Sequence, residues 1–236
     1  MQRAIELDPT LAPAHLALGL LATSDYNWAE AEAQYQASLR LDPNCAECHH
    51  QYGRLIEMLG RNEEALIQVN QAIELDPIND GDRNQLAAIA FTSRKYDLAI
   101  TQFESLHEAA DFVLLTVAYL EMKRFPEALA TAKKCKGSDL CPIQLGLVYG
   151  MWGRKREATK IINQFIEASR HRYVYPTVLA RAYIATDERE QALKWLERAY
   201  EEKDPGLFWL KVAPIYDPLR WEPRFQALLQ KVNFPQ

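Results

Sequence analysis

An all-α solenoid of antiparallel helix pairs is the fold class this 236-residue sequence predicts, and three observations carry it. The tripeptide Leu-Asp-Pro recurs at Leu7–Pro9, Leu41–Pro43 and Leu75–Pro77, with its prolines 34 residues apart. A period of that length with helical patterning marks a helix–turn–helix unit stacked on copies of itself. Ala31, Ala65 and Ala99 keep the same step, and four residues after each comes a large side chain, Tyr35, Val69 or Phe103. Hydrophobic residues make up 48% and charged residues 25%, the balance of a globular chain able to bury a core.

Taken in order, residues 1–11 read as the remnant of a preceding repeat. "QRAIEL" is the tail of a second helix with no first helix before it, so the chain starts on an incomplete repeat or is cut from a longer protein. Residues 12–206 read as about six helix pairs. Gly19, Gly53 and Ala87 lack bulk where two helices must approach closely, and the periodic alanines do the same on the second helix. Each Leu-Asp-Pro ends a second helix, because proline cannot continue it. The alanine spacing then shortens to 29 and 30 residues, at Ala128 and Ala158, and returns to 34 at Ala192. Trimmed helix ends or loops, with a change of curvature, are expected there. "KCKGSDLCP", residues 134–142, is the clearest loop. In residues 207–236, Asp217-Pro218 and Glu222-Pro223 punctuate a turn before an amphipathic helix, Phe225 to Val232, expected to cap the open end of the stack.

These repeats resemble the tetratricopeptide repeat (TPR) family through most of the chain. "VAYLEMKRFPEALA", "LGLVYGMWGRKREAT" and "LARAYIATDEREQAL" keep the small residue, the tyrosine and the alanine of the repeat. The resemblance implies a right-handed superhelical solenoid with a C-terminal capping helix. "HHQYG", "RHRYVYP", "YEEKDPGLFWLKV" and "DPLRWEPRFQALL" are similar to one bacterial subset, in which such arrays end multidomain signalling proteins. The N-terminal parts of those proteins are often winged-helix regulators, serine/threonine kinases or nucleotide cyclases. Two functions follow from the resemblance. One is a non-catalytic scaffold that binds a peptide or partner domain in a concave groove. The other is the sensor or dimerisation arm of a larger bacterial signalling protein.

In the family the first helix of each pair lines the concave surface. That register points His50, Arg54, Glu57, Asn84 and Arg181 inward, among apolar Leu16, Leu20, Val117 and Leu147. The family's basic and asparagine clamp for acidic chaperone tails does not appear: at its positions the first repeat holds Leu16 and Leu20.

"NCAECHHQYGR", residues 44–54, complicates this reading, because Cys45, Cys48 and His49 match the C-x-x-C-H pattern of covalent haem attachment. Repeat register already gives the segment a structural task, the turn and first turn of a helix. Four ligands within six residues of a helix start cannot converge on one tetrahedral zinc ion. Two small, partly buried thiols and two helix histidines are expected instead, with no cofactor and no metal.

A net charge of −5 argues against a nucleic-acid binder. No apolar run reaches the roughly 18 residues of a membrane span, and the first residues show no signal-peptide core. The G-x-S-x-G elbow and the phosphate loop are missing, and the carboxylate pairs Glu63-Glu64 and Glu201-Glu202 fall on exposed helix positions. No enzyme is expected. The four cysteines fit a cytoplasmic, reducing compartment; an extracytoplasmic place stays open if the chain belongs to a membrane-anchored protein. Self-association is expected through the uncapped N-terminal end, where Ala4, Ile5 and Leu7 would sit above Leu16, Leu20 and Leu21.

Overall fold

The computed structural model describes residues 10–106, 111–135 and 141–235. Thirteen α-helices run through them: α1 (Ala12–Ser24), α2 (Trp28–Leu41), α3 (Ala46–Met58), α4 (Asn62–Leu75), α5 (Asp80–Thr92), α6 (Tyr96–Ser105), α7 (Phe112–Glu121), α8 (Phe125–Lys134), α9 (Cys141–Met151), α10 (Lys155–Ala168), α11 (Pro176–Ala185), α12 (Arg189–Glu201) and α13 (Pro223–Lys231). Two 3₁₀ segments, Pro205–Trp209 and Pro214–Leu219, precede α13. Each odd-numbered helix from α1 to α11 packs on the even-numbered helix after it, and the odd-numbered helices also touch in series. The result is all-α, built from paired antiparallel helices.

The periodic alanines explain the packing. Ala31, Ala65, Ala99, Ala128, Ala158 and Ala192 are each 0% exposed, at the point where a second helix meets its first helix. A larger side chain there would hold the pair apart. One residue in each turn between the two helices adopts a left-handed conformation: Tyr26, Gly60, Arg94, Lys123, Gly153 and Asp187, with φ from 56° to 82°. The same closing bond recurs beside it, as in Asn27 N–H to Ala22 O, Arg61 N–H to Ile56 O and Glu188 N–H to Tyr183 O. The shortened spacing is taken up in the helices themselves. Helices α6, α7 and α8 have 10 residues each, against 13 or 14 in α1 to α4. The expected loop at 134–142 falls largely on residues 136–140, outside the described residues.

Glycine matters most at Gly150, on α9. A Cβ there would lie 2.8 Å from the Ala185 Cβ and 2.9 Å from the Ala185 carbonyl, which is backbone and cannot swing away. Gly150→Ala is expected to lower stability by about 1–3 kcal/mol, although alanine is the better helix former. Urea unfolding checks this, and a variant as stable as the wild type would show that α9 and α11 can separate freely.

The C-terminal segment departs from expectation. It is more than a cap on the last pair: it returns to the first. The Trp28 indole, 3% exposed, donates from Nε1 to the Val232 carbonyl at 2.9 Å. Its ring stacks on Phe234 at 5.1 Å and meets Phe208 edge-on at 6.1 Å. Tyr26 stacks on Tyr200 at 6.1 Å, and Lys203 pairs with Asp25 at 3.0 Å. Further along, Asp217 pairs with Arg94 at 2.7 Å. Asp204 fixes where this tail starts, accepting from Thr177 N–H at the head of α11 and from Gly206 N–H, both at 2.8 Å.

The cysteines need a second correction. They are not free thiols: Cys45 is bonded to Cys48, and Cys135 to Cys141. Three residues apart across the first turn of α3, the first two lie 5.2 Å apart at Cα, inside the usual range for a disulfide. The pairing removes the argument from free thiols to a reducing compartment.

Residues 1–7, which carry the expected lone helix and half of the expected self-association surface, lie outside the described residues. Of the other half, Leu20 and Leu21 are 41% and 48% exposed. No helix among the described residues is long and apolar enough to cross a membrane.

Candidate functional site

A cavity of about 470 Å³ opens on the inner face, lined by five successive first helices (α3, α5, α7, α9 and α11) and by the tail. His50, Arg54 and Glu57 are three and four residues apart, so they share one side of α3. All three line the cavity, together with Asn84 from α5 and Arg181 from α11. Val117 and Leu147 line it too, as the register implied; Leu16 and Leu20, on α1, do not. Sequence reasoning missed Gln85, Phe91, Asp111 and Gln144, and all of the tail wall, Trp209, Ala213, Pro214 and Ile215.

The polar groups differ in what they have left to offer. His50 Nδ1 donates to Asp82 Oδ1 at 2.6 Å, and Asp82 is 0% exposed. Burial pushes the Asp82 carboxyl up, and the His50 bond opposes this. Glu57 is also 0% exposed and accepts from the Thr92 hydroxyl at 3.2 Å. Burial pushes its carboxyl up to about 8, against the pull of that bond and of Arg54. Asn84 has spent much of its amide on the backbone: Oδ1 accepts from Asp111 N–H at 2.7 Å, and Nδ2 donates to Asp80 O at 2.9 Å. Arg181 Nε donates to the Tyr216 hydroxyl at 3.1 Å, with its guanidinium 5.7 Å from the Tyr216 ring centre. Burial pushes the Asp111 carboxyl up as well, opposed by bonds from Leu114 and Val113 N–H.

Against these stand groups with nothing bound to them. Arg54 forms no hydrogen bond or ion pair among the described residues, although it lines the cavity. Glu57 Oε2, both ends of the Gln85 amide and Gln144 Oε1 are buried without a partner. Buried polar atoms in native proteins are nearly all paired, so their concentration along one cavity is the site's most informative property.

The four candidate metal ligands point in different directions. Cys45 and Cys48 are bonded to each other, and His50 faces the cavity. His49 bonds Pro43 O through Nε2 at 3.0 Å and Gln68 Oε1 through Nδ1 at 2.8 Å. Among the described residues no group of three or more His, Cys, Asp or Glu side chains is placed to hold a metal ion.

No protein-family model matches this sequence, and no curated protein does. Solved structures do. A tetratricopeptide repeat protein from Parabacteroides merdae superposes with a TM-score of 0.53 at 16% identity, over 94% of this chain and 91% of that one. PilF of Pseudomonas aeruginosa superposes with a TM-score of 0.55 at 15% identity, over 85% of this chain and 95% of that one. The Cut9–Hcn1 hetero-tetramer of the APC/C gives 0.59 at 17% identity, over 98% of this chain but 45% of that one. At such identities the likeness speaks for architecture alone. The helix pairs, the buried periodic alanines and these superpositions together show that the chain has the tetratricopeptide repeat fold.

Proposed function

We propose that this chain is a non-catalytic protein-interaction module whose inner face holds a peptide or part of a partner domain. The observation that carries the reading is the lining of the cavity. Five successive first helices contribute to it, and several of their polar groups are left without partners. Cut9, with a similar fold, is found in a hetero-tetramer with Hcn1. The non-catalytic part of the proposal rests on the side chains themselves. The cavity holds no serine or cysteine beside a histidine, and its one histidine is committed to Asp82.

The test is panning of a displayed peptide library on the purified chain, with the winners retested on Arg54→Glu and Arg181→Glu. Selected peptides are expected to lose at least tenfold in affinity on one or both variants, about the worth of one charge-assisted contact. Peptides that bind both variants as well as the wild type would place binding elsewhere.

A second reading, the sensor arm of a larger signalling protein, is favoured by a separate observation. The tail supplies one wall of the cavity and also grips the first helix pair. An occupant of the cavity would therefore press on the element that joins the two ends of the array.

A further inference from the structure

We propose that the cavity takes a small monocarboxylic acid with an apolar body, its carboxylate held by Arg54. The inference rests on the reading of the cavity as a ligand site and names the ligand's chemistry.

The charges around the cavity select for a single negative charge. His50 on α3 is held by its hydrogen bond to Asp82 on α5, and Arg181 on α11 is opposed by Asp111 at the head of α7. That leaves Arg54 and Glu57, one helical turn apart on α3. Arg54 offers a planar fork of donors with no bound acceptor, the geometry that suits a carboxylate. Glu57 is 0% exposed and is held protonated at neutral pH by that burial, so it sets no negative charge beside Arg54. A carboxylate can accept from Arg54 without meeting a charge of its own sign at Glu57. A phosphate dianion would bring a second charge with no cation to meet it, and an ammonium group would face Arg54.

The rest of the cavity suits the remainder of such a molecule. Phe91, Val117, Leu147, Trp209 and Ile215 supply apolar walls. A volume of about 470 Å³ lies within the range of small-molecule sites, roughly 300–1,000 Å³.

The experiment is calorimetric titration of the full chain with octanoate and with phenylacetate, each beside its primary amide, at pH 7 and pH 9.5. At least one acid is expected to bind, with its amide about tenfold weaker or more, because the charge-assisted contact is lost. Arg54→Gln is expected to weaken the acid by a similar factor. Acid affinity is expected to fall by about tenfold or more between pH 7 and 9.5 as Glu57 loses its proton and repels the ligand. In Glu57→Gln, which is uncharged at both pH values, that fall is expected to vanish while binding persists. The proposal is overturned if neither acid binds below millimolar concentration, if the amides bind equally well, or if Arg54→Gln changes nothing. It is also overturned if an apolar tripeptide with a free carboxylate binds at least tenfold more tightly than both acids. Because the acid and amide arms use unaltered protein, a folding defect cannot produce the result. If the acids fail while library peptides show Arg54 dependence, the small-acid assignment falls and the interaction-module reading stands.

Discussion

Trp28→Ala is expected to cost about 3–5 kcal/mol, the range for deleting a large buried aromatic side chain. The indole is 3% exposed and contacts three parts of the tail at once: the Phe208 ring, the Phe234 ring and the Val232 carbonyl. Alanine would leave a void beneath both rings and the carbonyl without its donor. Trp28→Phe separates the contributions: it keeps most of the packing and loses the N–H bond, for an expected cost near 1 kcal/mol plus some repacking. Urea unfolding measures both, and limited proteolysis should show residues 205–235 of the alanine variant cut first. A Trp28→Ala protein within 1 kcal/mol of wild type, with a protected tail, would mean the tail is held by other contacts.

The second large effect concerns pH. In the unfolded chain the Glu57 carboxyl loses its proton near 4.5, whereas in the folded protein it keeps it to about 8. Between those values the folded state binds the extra proton, so stability falls as pH rises, by about 1.4 kcal/mol per pH unit for this group, and levels off above 8. Glu57→Gln removes that loss. It should be more stable than wild type by an amount on the order of 3 kcal/mol at pH 7, and close to wild type at pH 4. The carboxyls of Asp82, Asp111 and Glu121 are also raised by burial and act in the same direction, so a shallower slope should remain. Chemical denaturation at several pH values checks this. A Glu57→Gln protein with the wild-type slope would show that the carboxyl is ionised in the folded state.

The repeated core was legible because every unit writes it in the same place. An alanine that is buried once is buried six times, and the left-handed turn residue follows at the same spacing even where it is not glycine. The same register put His50, Arg54, Glu57, Asn84 and Arg181 on the inner face, where they line one cavity. It failed where the period stops. Trp28 and Val232 are 204 residues apart, and no repetition links them, so "YEEKDPGLFWLKV" could be noticed but not placed. Gln85 and Gln144 were missed for a related reason: a polar residue on a helix reads as solvated until it is seen buried in the wall of a cavity. The cysteines misled because a C-x-x-C spacing serves a metal, a thiol pair or a disulfide equally, and only the bond between Cys45 and Cys48 in the first turn of α3 decides.

The grip of the tail on Trp28 has a mechanical consequence. A stack joined only neighbour to neighbour is a spring: small rotations at each joint accumulate, and the pitch is soft. Here the tail is fastened to the first described pair through Trp28, Phe208 and Phe234 with Lys203–Asp25 as a further rivet, and to the third pair through Arg94–Asp217. A rotation at one joint must then be taken back at the others, so the coil resists stretching as one body. Pulling on the two ends should load this clasp before any helix pair, and a force–extension trace should show its release as the first event.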